Sequence, residues 1–490
     1  MHQPYYYAEQ KSRANALFVP LLILAHILIF SFSVTASNFP TKSFAHVLLG
    51  IIFSCVAACA TLMYSKSNVP KLIAWFLVAT CTFKLPICLI APETTFLAVV
   101  PLEGKLLAEL VCSKFFWFSL GFLGYAVGAI AASRFLWNMA DPRKRDVQMA
   151  MPEKGFFMLL VLYGCLQFMR GFLLIVLQIG APNVEGREFL IPKLAGILNI
   201  LGTRGLLVVV AALLAWALAR KSFSALLLAG LAGLTYAGVE MAGGWRSGLY
   251  YYGLCGCWIF LASEPSKLKN RLKPIAVGFA IAALLLFIPV MDFRHHLRRG
   301  MTQGEAFKAV LEFKSDDERN FGDKFHTIVR RFNGIDLYFA ASYGSEDAPQ
   351  GLMSLYNGAA SQFFTFGILG TPEEAITMQG MTYWGGIAIA LGDQWLWFMG
   401  VVLGVVIGGI PVLSRTLFYS PMMRTTFESV STITLLHLAM GNVAFMLYFK
   451  ELLTIVVVCF IVKLIVGGSR SSPQYYHAGV PYPVAFQQLQ

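Results

Sequence analysis

Runs of about 20 predominantly apolar residues recur along this chain, the length at which a helix crosses the hydrocarbon core of a bilayer. They fall at 15–37, 44–64, 71–91, 112–136, 156–178, 197–218, 223–243, 247–262, 274–292, 394–413, 428–447 and 451–467. The spacing predicts an all-α polytopic membrane protein with about twelve transmembrane helices. Composition agrees: 57% of residues are hydrophobic and 13% charged, where soluble domains carry about 25% charged residues.

The short loops give the orientation. With the N-terminus inside, Lys11, Arg13, Lys66, Lys71, Arg143, Lys144, Arg145, Lys154, Arg220, Lys221, Arg415 and Arg424 lie on cytoplasmic connections. The short outer loops hold few cations, among them Lys42, Lys105 and Arg187. Under the positive-inside rule both termini are cytoplasmic. The expected organisation is a tail at 1–14, spans one to nine at 15–292, a periplasmic loop at 293–393, spans ten to twelve at 394–467, and a flexible cytoplasmic tail at 468–490. The first apolar run reads as a retained signal anchor. The net charge of +12 reports this topology, because no basic tract or nucleic-acid motif accompanies it. The nine cysteines lie in or beside apolar runs and read as packing residues; no metal-ligand spacing is present.

The segment 293–393 departs from the pattern. Phe325, Ile328, Val329, Phe332 and Ile335 recur at helix spacing among charges. The stretch 352–370 is apolar, aromatic and glycine-rich, and is expected to lie on the membrane surface or re-enter it. A full span there would put Arg415 and Arg424 on the wrong side. Gly124 with Gly128, and Gly400 with Gly404 and Gly408, sit at the four-residue spacing that lets helices approach closely.

Two arginines lie inside spans. Arg170 falls in 156–178 and Arg204 in 197–218. Counted from the outer loop between them, each is about 10–12 Å below the same face. An intramembrane arginine costs roughly 2.5–3.5 kcal/mol on insertion scales and usually faces a polar cavity or an anionic partner. The topology adds Glu240, Arg246, Asp292, Arg294, Arg298, Arg299, His326, Arg330, Arg331 and Asp336 to the same side. Guanidinium groups donate paired hydrogen bonds to phosphates and stay charged, so Arg170, Arg204, Arg246, Arg294, Arg298, Arg299, Arg330 and Arg331 are candidates to hold a lipid diphosphate. Glu240, Asp292, His326 and Asp336 are candidate proton acceptors. Lys84, in the outer half of its span, reads as a snorkelling residue. His437 reads as a core histidine, and Tyr250, Tyr251 and Tyr252 as an aromatic belt.

Three short motifs resemble the O-antigen polymerase (Wzy-type) family of oligosaccharide repeat-unit polymerases. They are Gly244-Trp-Arg-Ser-Gly248 at a span boundary, Arg330-Arg-Phe-Asn-Gly-Ile-Asp336 in the outer loop, and Gly392-Asp-Gln-Trp-Leu-Trp-Phe-Met-Gly400 before a glycine-rich span. One family pattern, an arginine followed eleven positions later by glycine, is absent from the outer-loop arginines. The resemblance implies a metal-independent glycosyltransferase of the bacterial inner membrane that needs no cofactor. Such an enzyme polymerises undecaprenyl-diphosphate-linked oligosaccharides at the periplasmic face, alongside a flippase and a chain-length regulator. It would place Arg246 and Arg331 near the donor. An O-antigen ligase-type enzyme and a lipid-linked sugar flippase are the competing readings. The charges gathered at one face, with no two-fold sequence symmetry, favour an enzyme over a transporter.

Overall fold

The computed structural model describes residues 3–139, 153–176, 197–242, 247–262, 303–311, 334–344, 348–370, 382–418, 420–440 and 445–467, with positions 274, 293, 296 and 301. Every regular element among the described residues is helical and no strand occurs. Among the described residues, seven helices are long and apolar enough to cross a membrane. The protein is an all-α, multi-pass membrane protein. That class follows from backbone chemistry: lipid offers no partner to N–H or C=O groups, so a spanning segment satisfies them within itself.

The first group of helices is α1 (Gln3–Val34), α2 (Phe44–Tyr64), α3 (Asn68–Leu77), α4 (Leu85–Ile90) and α5 (Gly104–Met139). The second is α6 (Glu153–Gly171), α7 (Leu206–Arg220), α8 (Phe223–Ala242) and α9 (Ser247–Ala262). Then come α10 (Gln303–Leu311), α11 (Ile335–Tyr343), α12 (Leu352–Asn357), α13 (Ala359–Phe363) and α14 (Tyr383–Leu391). The chain closes with α15 (Leu396–Leu417), α16 (Pro421–Met440) and α17 (Phe445–Gly467).

Local sequence sets several boundaries. The Ser67 side chain accepts from the backbone N–H of Val69 and caps α3. Lys221 adopts the left-handed conformation, φ 55°, that ends α7 and turns the chain at once into α8. On α8, Leu227, Leu231 and Leu234 repeat at helical spacing and remain exposed. In a bilayer that stripe meets lipid, so it costs nothing to leave it uncovered.

The closest helix pair is α5 with α15, and glycine makes it possible. A side chain on Gly121, Gly124 or Gly128 would strike α15 or Trp384, and one on Gly400, Gly404 or Gly408 would strike α5. A Cβ at Gly404 would lie 2.7 Å from the Ala129 nitrogen, and one at Gly408 2.8 Å from the Ala129 carbonyl oxygen. Residue numbers rise together across the contact, so α5 and α15 run parallel.

Among the described residues, single π-turns occur in four helical segments, at Val78–Thr82, Phe172–Val176, Leu201–Gly205 and Phe364–Ile368. A π-turn inserts one extra residue and rotates the rest of the helix beyond it, and it recurs at functional sites. Lys84 lies just after the first, Arg170 precedes the second, and Arg204 lies within the third.

The stretch 352–370 forms no span: α12, α13 and the last π-turn are each too short to cross. Leu352, Met353 and Tyr356 are exposed. The buried helices of the 293–393 segment are instead α11 and α14, nine residues each, packed on one another and, for α11, on α5. Phe325, Ile328, Val329 and Phe332 lie outside the described residues.

Candidate functional site

Arg170 is 1% and Arg204 3% exposed, so neither snorkels to the surface. The bundle folds both toward the interior between α6, α7, α8, α9, α16 and α17. A shared interior is what the matched depth in the sequence predicts, but the two guanidinium groups are held differently.

Arg170 is fully engaged. Its Nε and Nη2 donate to Glu240 Oε1 and Oε2 at 2.6 and 3.0 Å, and its Nη1 donates to Asn199 Oδ1 at 2.6 Å. Two glycines make room for this pair. A Cβ on Gly202 would lie 2.8 Å from Arg170 Cδ, and one on Gly248 would lie 2.5 Å from Glu240 Cβ. Arg170 therefore ties α6 to α8 and to the helical turn before α7. Both carboxylate oxygens of Glu240 are taken up by that one guanidinium.

Arg204 is less well satisfied. Its Cζ lies 4.3 Å from the centroid of the Tyr251 ring, a cation–π distance. Its Nη2 donates to the Tyr251 hydroxyl at a long 3.4 Å. Its Nε is 2.9 Å from Glu451 Oε2, yet the angle is wrong for a hydrogen bond. Nε and Nη1 are buried without a hydrogen-bond partner, as is Glu451 Oε2. The Leu201–Gly205 π-turn produces this pose: Gly205 packs against Leu201 and Val458 while Arg204 turns toward α9 and α17.

Aromatic groups line the same region. The His437 ring stands edge-on to Tyr251 and Tyr448, at 5.8 and 5.9 Å between centroids. Its Nδ1 is buried with no hydrogen-bond partner, so His437 is a core histidine left incompletely satisfied. Tyr251 stands beneath Arg204 rather than in an interfacial belt.

Asp336 belongs to a different set of partners. It is fully buried, 2.7 Å from Lys84, and accepts from the Phe96 backbone N–H at 3.1 Å. Lys84 is 5% exposed, so it is a buried ion-pair partner and not a snorkelling residue. The π-turn before Lys84 brings the chain against Gly334, whose missing side chain lets the Thr80 carbonyl approach. Nearby, Asp393 pairs with Lys114 and accepts from the Tyr338 hydroxyl at 2.9 Å. The Lys84–Asp336 pair ties α11 to the start of α4, and the Lys114–Asp393 pair ties the turn before α15 to α5. Asp336 is thus placed with Lys84, apart from Arg170, Arg204 and Glu240.

Arg246, Asp292, Arg294, Arg298, Arg299, His326, Arg330 and Arg331 lie outside the described residues. No group of His, Cys, Asp or Glu with the makings of a metal site occurs among the described residues. Sequence reasoning missed Glu451, Asn199 and Tyr448. Glu451 follows Lys450 at the edge of an apolar run, where it reads as a loop charge. Its only signal was being an acid at the first position of a predicted span, on the outer side with Arg204.

The arrangement can bind an anion. A buried, partly unsatisfied guanidinium beside polarisable rings is short of acceptors, and phosphate oxygens supply them. No family model, curated protein or solved structure matches this chain.

Proposed function

We propose that this protein joins undecaprenyl-diphosphate-linked oligosaccharide repeat units into a longer surface glycan, acting at the periplasmic face of a bacterial inner membrane. The observation that carries the reading is Arg204. It is buried within an apolar helical run, its Nε is ion-paired with Glu451 without a hydrogen bond, and its Nη1 has no hydrogen-bond partner. Burying unpaired donors is costly, and a cation is retained at such a place when an anionic ligand completes it. A lipid diphosphate fits that demand, since its charged head sits at the interface while its prenyl tail stays in hydrocarbon.

Arg204 then stabilises the charge that builds on the diphosphate as it leaves the donor sugar. Arg170, with Glu240 and Asn199, holds the turn from which Arg204 projects. In the sequence Arg246 stands immediately before α9, the helix that supplies Tyr251, and that adjacency supports its place in the donor site. The parallel course of α5 and α15 is what a scheme requires in which spans four and ten run in the same direction; the side on which the termini lie rests on the positive-inside bias.

The test is direct. Purified protein in lipid nanodiscs is given only lipid-linked oligosaccharide extracted from the source cells. A ladder of longer lipid-linked products is expected. An absolute need for a second acceptor type would instead make the protein a ligase. Movement of lipid-linked glycan across sealed vesicles without lengthening would make it a flippase.

A further inference from the structure

We infer that Glu451 is the proton acceptor of this site, the carboxylate that deprotonates the acceptor hydroxyl. The inference deepens the polymerase reading and rests on it.

Among the described residues, the other buried or half-buried carboxylates of the bundle are committed elsewhere. Glu240 gives both oxygens to Arg170. Asp336 and Asp393 are each paired with a lysine. Glu428 takes the Ser414 hydroxyl at 2.5 Å between α15 and α16. Asp336 Oδ1 also lacks a hydrogen bond, but Asp336 sits with Lys84, whereas Glu451 is the carboxylate placed against Arg204. Glu451 is 8% exposed, its Oε2 receives no hydrogen bond, and that oxygen lies 2.9 Å from Arg204 Nε.

The misaligned contact is what an exchangeable partner looks like. A diphosphate that takes Nε and Nη1 of Arg204 displaces one ion-pair contact, with Glu451, whereas capturing Arg170 would break three hydrogen bonds. When Arg204 turns to the diphosphate, Glu451 is left beside the reacting centre with an open oxygen. Tyr448 lies one turn earlier on the same side of α17, next to His437 and within the aromatic wall that continues to Tyr251.

The step balances without a further reagent. The acceptor oxygen forms a bond to the anomeric carbon of the donor sugar. The bond from that carbon to the diphosphate oxygen breaks, and its electron pair leaves on the diphosphate. The proton of the acceptor hydroxyl passes to Glu451 and then to the departing diphosphate or to water.

Glu451→Gln separates this role from a structural one. Glutamine keeps a carbonyl oxygen for Arg204 but cannot take the proton. In nanodiscs, we expect kcat for glycan lengthening to fall by about 10²-fold or more, the usual contribution of a general base. Binding of undecaprenyl diphosphate should stay within about threefold of wild type, the mark of an interaction made only in the transition state. Glu451→Asp, which retains the carboxylate, should recover measurable turnover and guards against a folding defect in the glutamine variant. Near-normal turnover in Glu451→Gln overturns the assignment and leaves Glu451 as a partner of Arg204 alone. Equal loss in the aspartate and glutamine variants together with lost binding overturns it too, as does a loss of kcat in His437→Gln that Glu451→Gln does not share. Failure of the wild-type protein to bind undecaprenyl diphosphate or to lengthen glycans is a different result, and it removes the polymerase reading itself.

Discussion

Charge alone does not separate the residues of this site; the degree to which each charge is satisfied does. Arg170 and Arg204 have the same side chain, similar burial and the same depth counted along the helix. The first spends three hydrogen bonds on Glu240 and Asn199, while the second has its Nε ion-paired with Glu451 without a hydrogen bond and its Nη1 unsatisfied. Removing one member of a well-made buried pair leaves the other uncompensated, at a cost of roughly 3–5 kcal/mol. Arg170→Ala should therefore lower the thermal unfolding midpoint and reduce the amount of protein in the membrane. Arg204→Ala should lower that midpoint by less, while cutting glycan lengthening by about 10²–10³-fold, as loss of a charge-stabilising donor does. Arg204→Lys should rescue poorly, because a point ammonium does not reproduce the guanidinium fork. The two midpoints and the two rates, measured side by side, check this; a larger stability loss at Arg204 than at Arg170 would reverse the assignment. Depth and residue type were legible in the sequence. Satisfaction was not, because it depends on partners that lie far away along the chain.

At the level of elements, glycine spacing and π-turns govern how helices meet. The glycine repeats at 124–128 and 400–408 announce close approach in the sequence, and α5 and α15 meet along them. Gly404→Ala would bring a Cβ to 2.7 Å from the Ala129 nitrogen. Forcing a methyl group into packed backbone costs about 1–3 kcal/mol. Gly230→Ala on α8, where a Cβ meets nothing within 4 Å, should be neutral or slightly stabilising, since alanine favours helix over glycine by roughly 0.5–1 kcal/mol. Thermal unfolding of the two variants in the same detergent compares them. The π-turns carry no comparable signature. Leu201–Gly205 reads in sequence as ordinary span, and its extra residue becomes visible only once neighbouring helices fix the rotation of Arg204. The same holds for Val78–Thr82, which directs Lys84 to Asp336. Lys84 was misread for that reason: it sits where hydropathy suggests an interface, and the π-turn before it directs it inward to Asp336.

For the whole molecule, the positive-inside bias makes a prediction that does not depend on the site. A fluorescent protein fused at the C-terminus should be fluorescent in the cytoplasm, and alkaline phosphatase fused after Gly370 should be active outside. The opposite pattern would put Arg170, Arg204 and Glu451 on the cytoplasmic side and exclude a periplasmic donor. By itself the sequence determined the all-α class, the helices long and apolar enough to span and the presence of cations inside apolar runs. Each is a local property, since a run of apolar residues closes its own hydrogen bonds in lipid whatever surrounds it. Only the tertiary structure decided which acid meets which base: Glu240 with Arg170, Glu451 beside Arg204, Asp336 with Lys84. Those pairings join residues distant in the chain through the rotation and crossing of helices, and hydropathy carries no record of either.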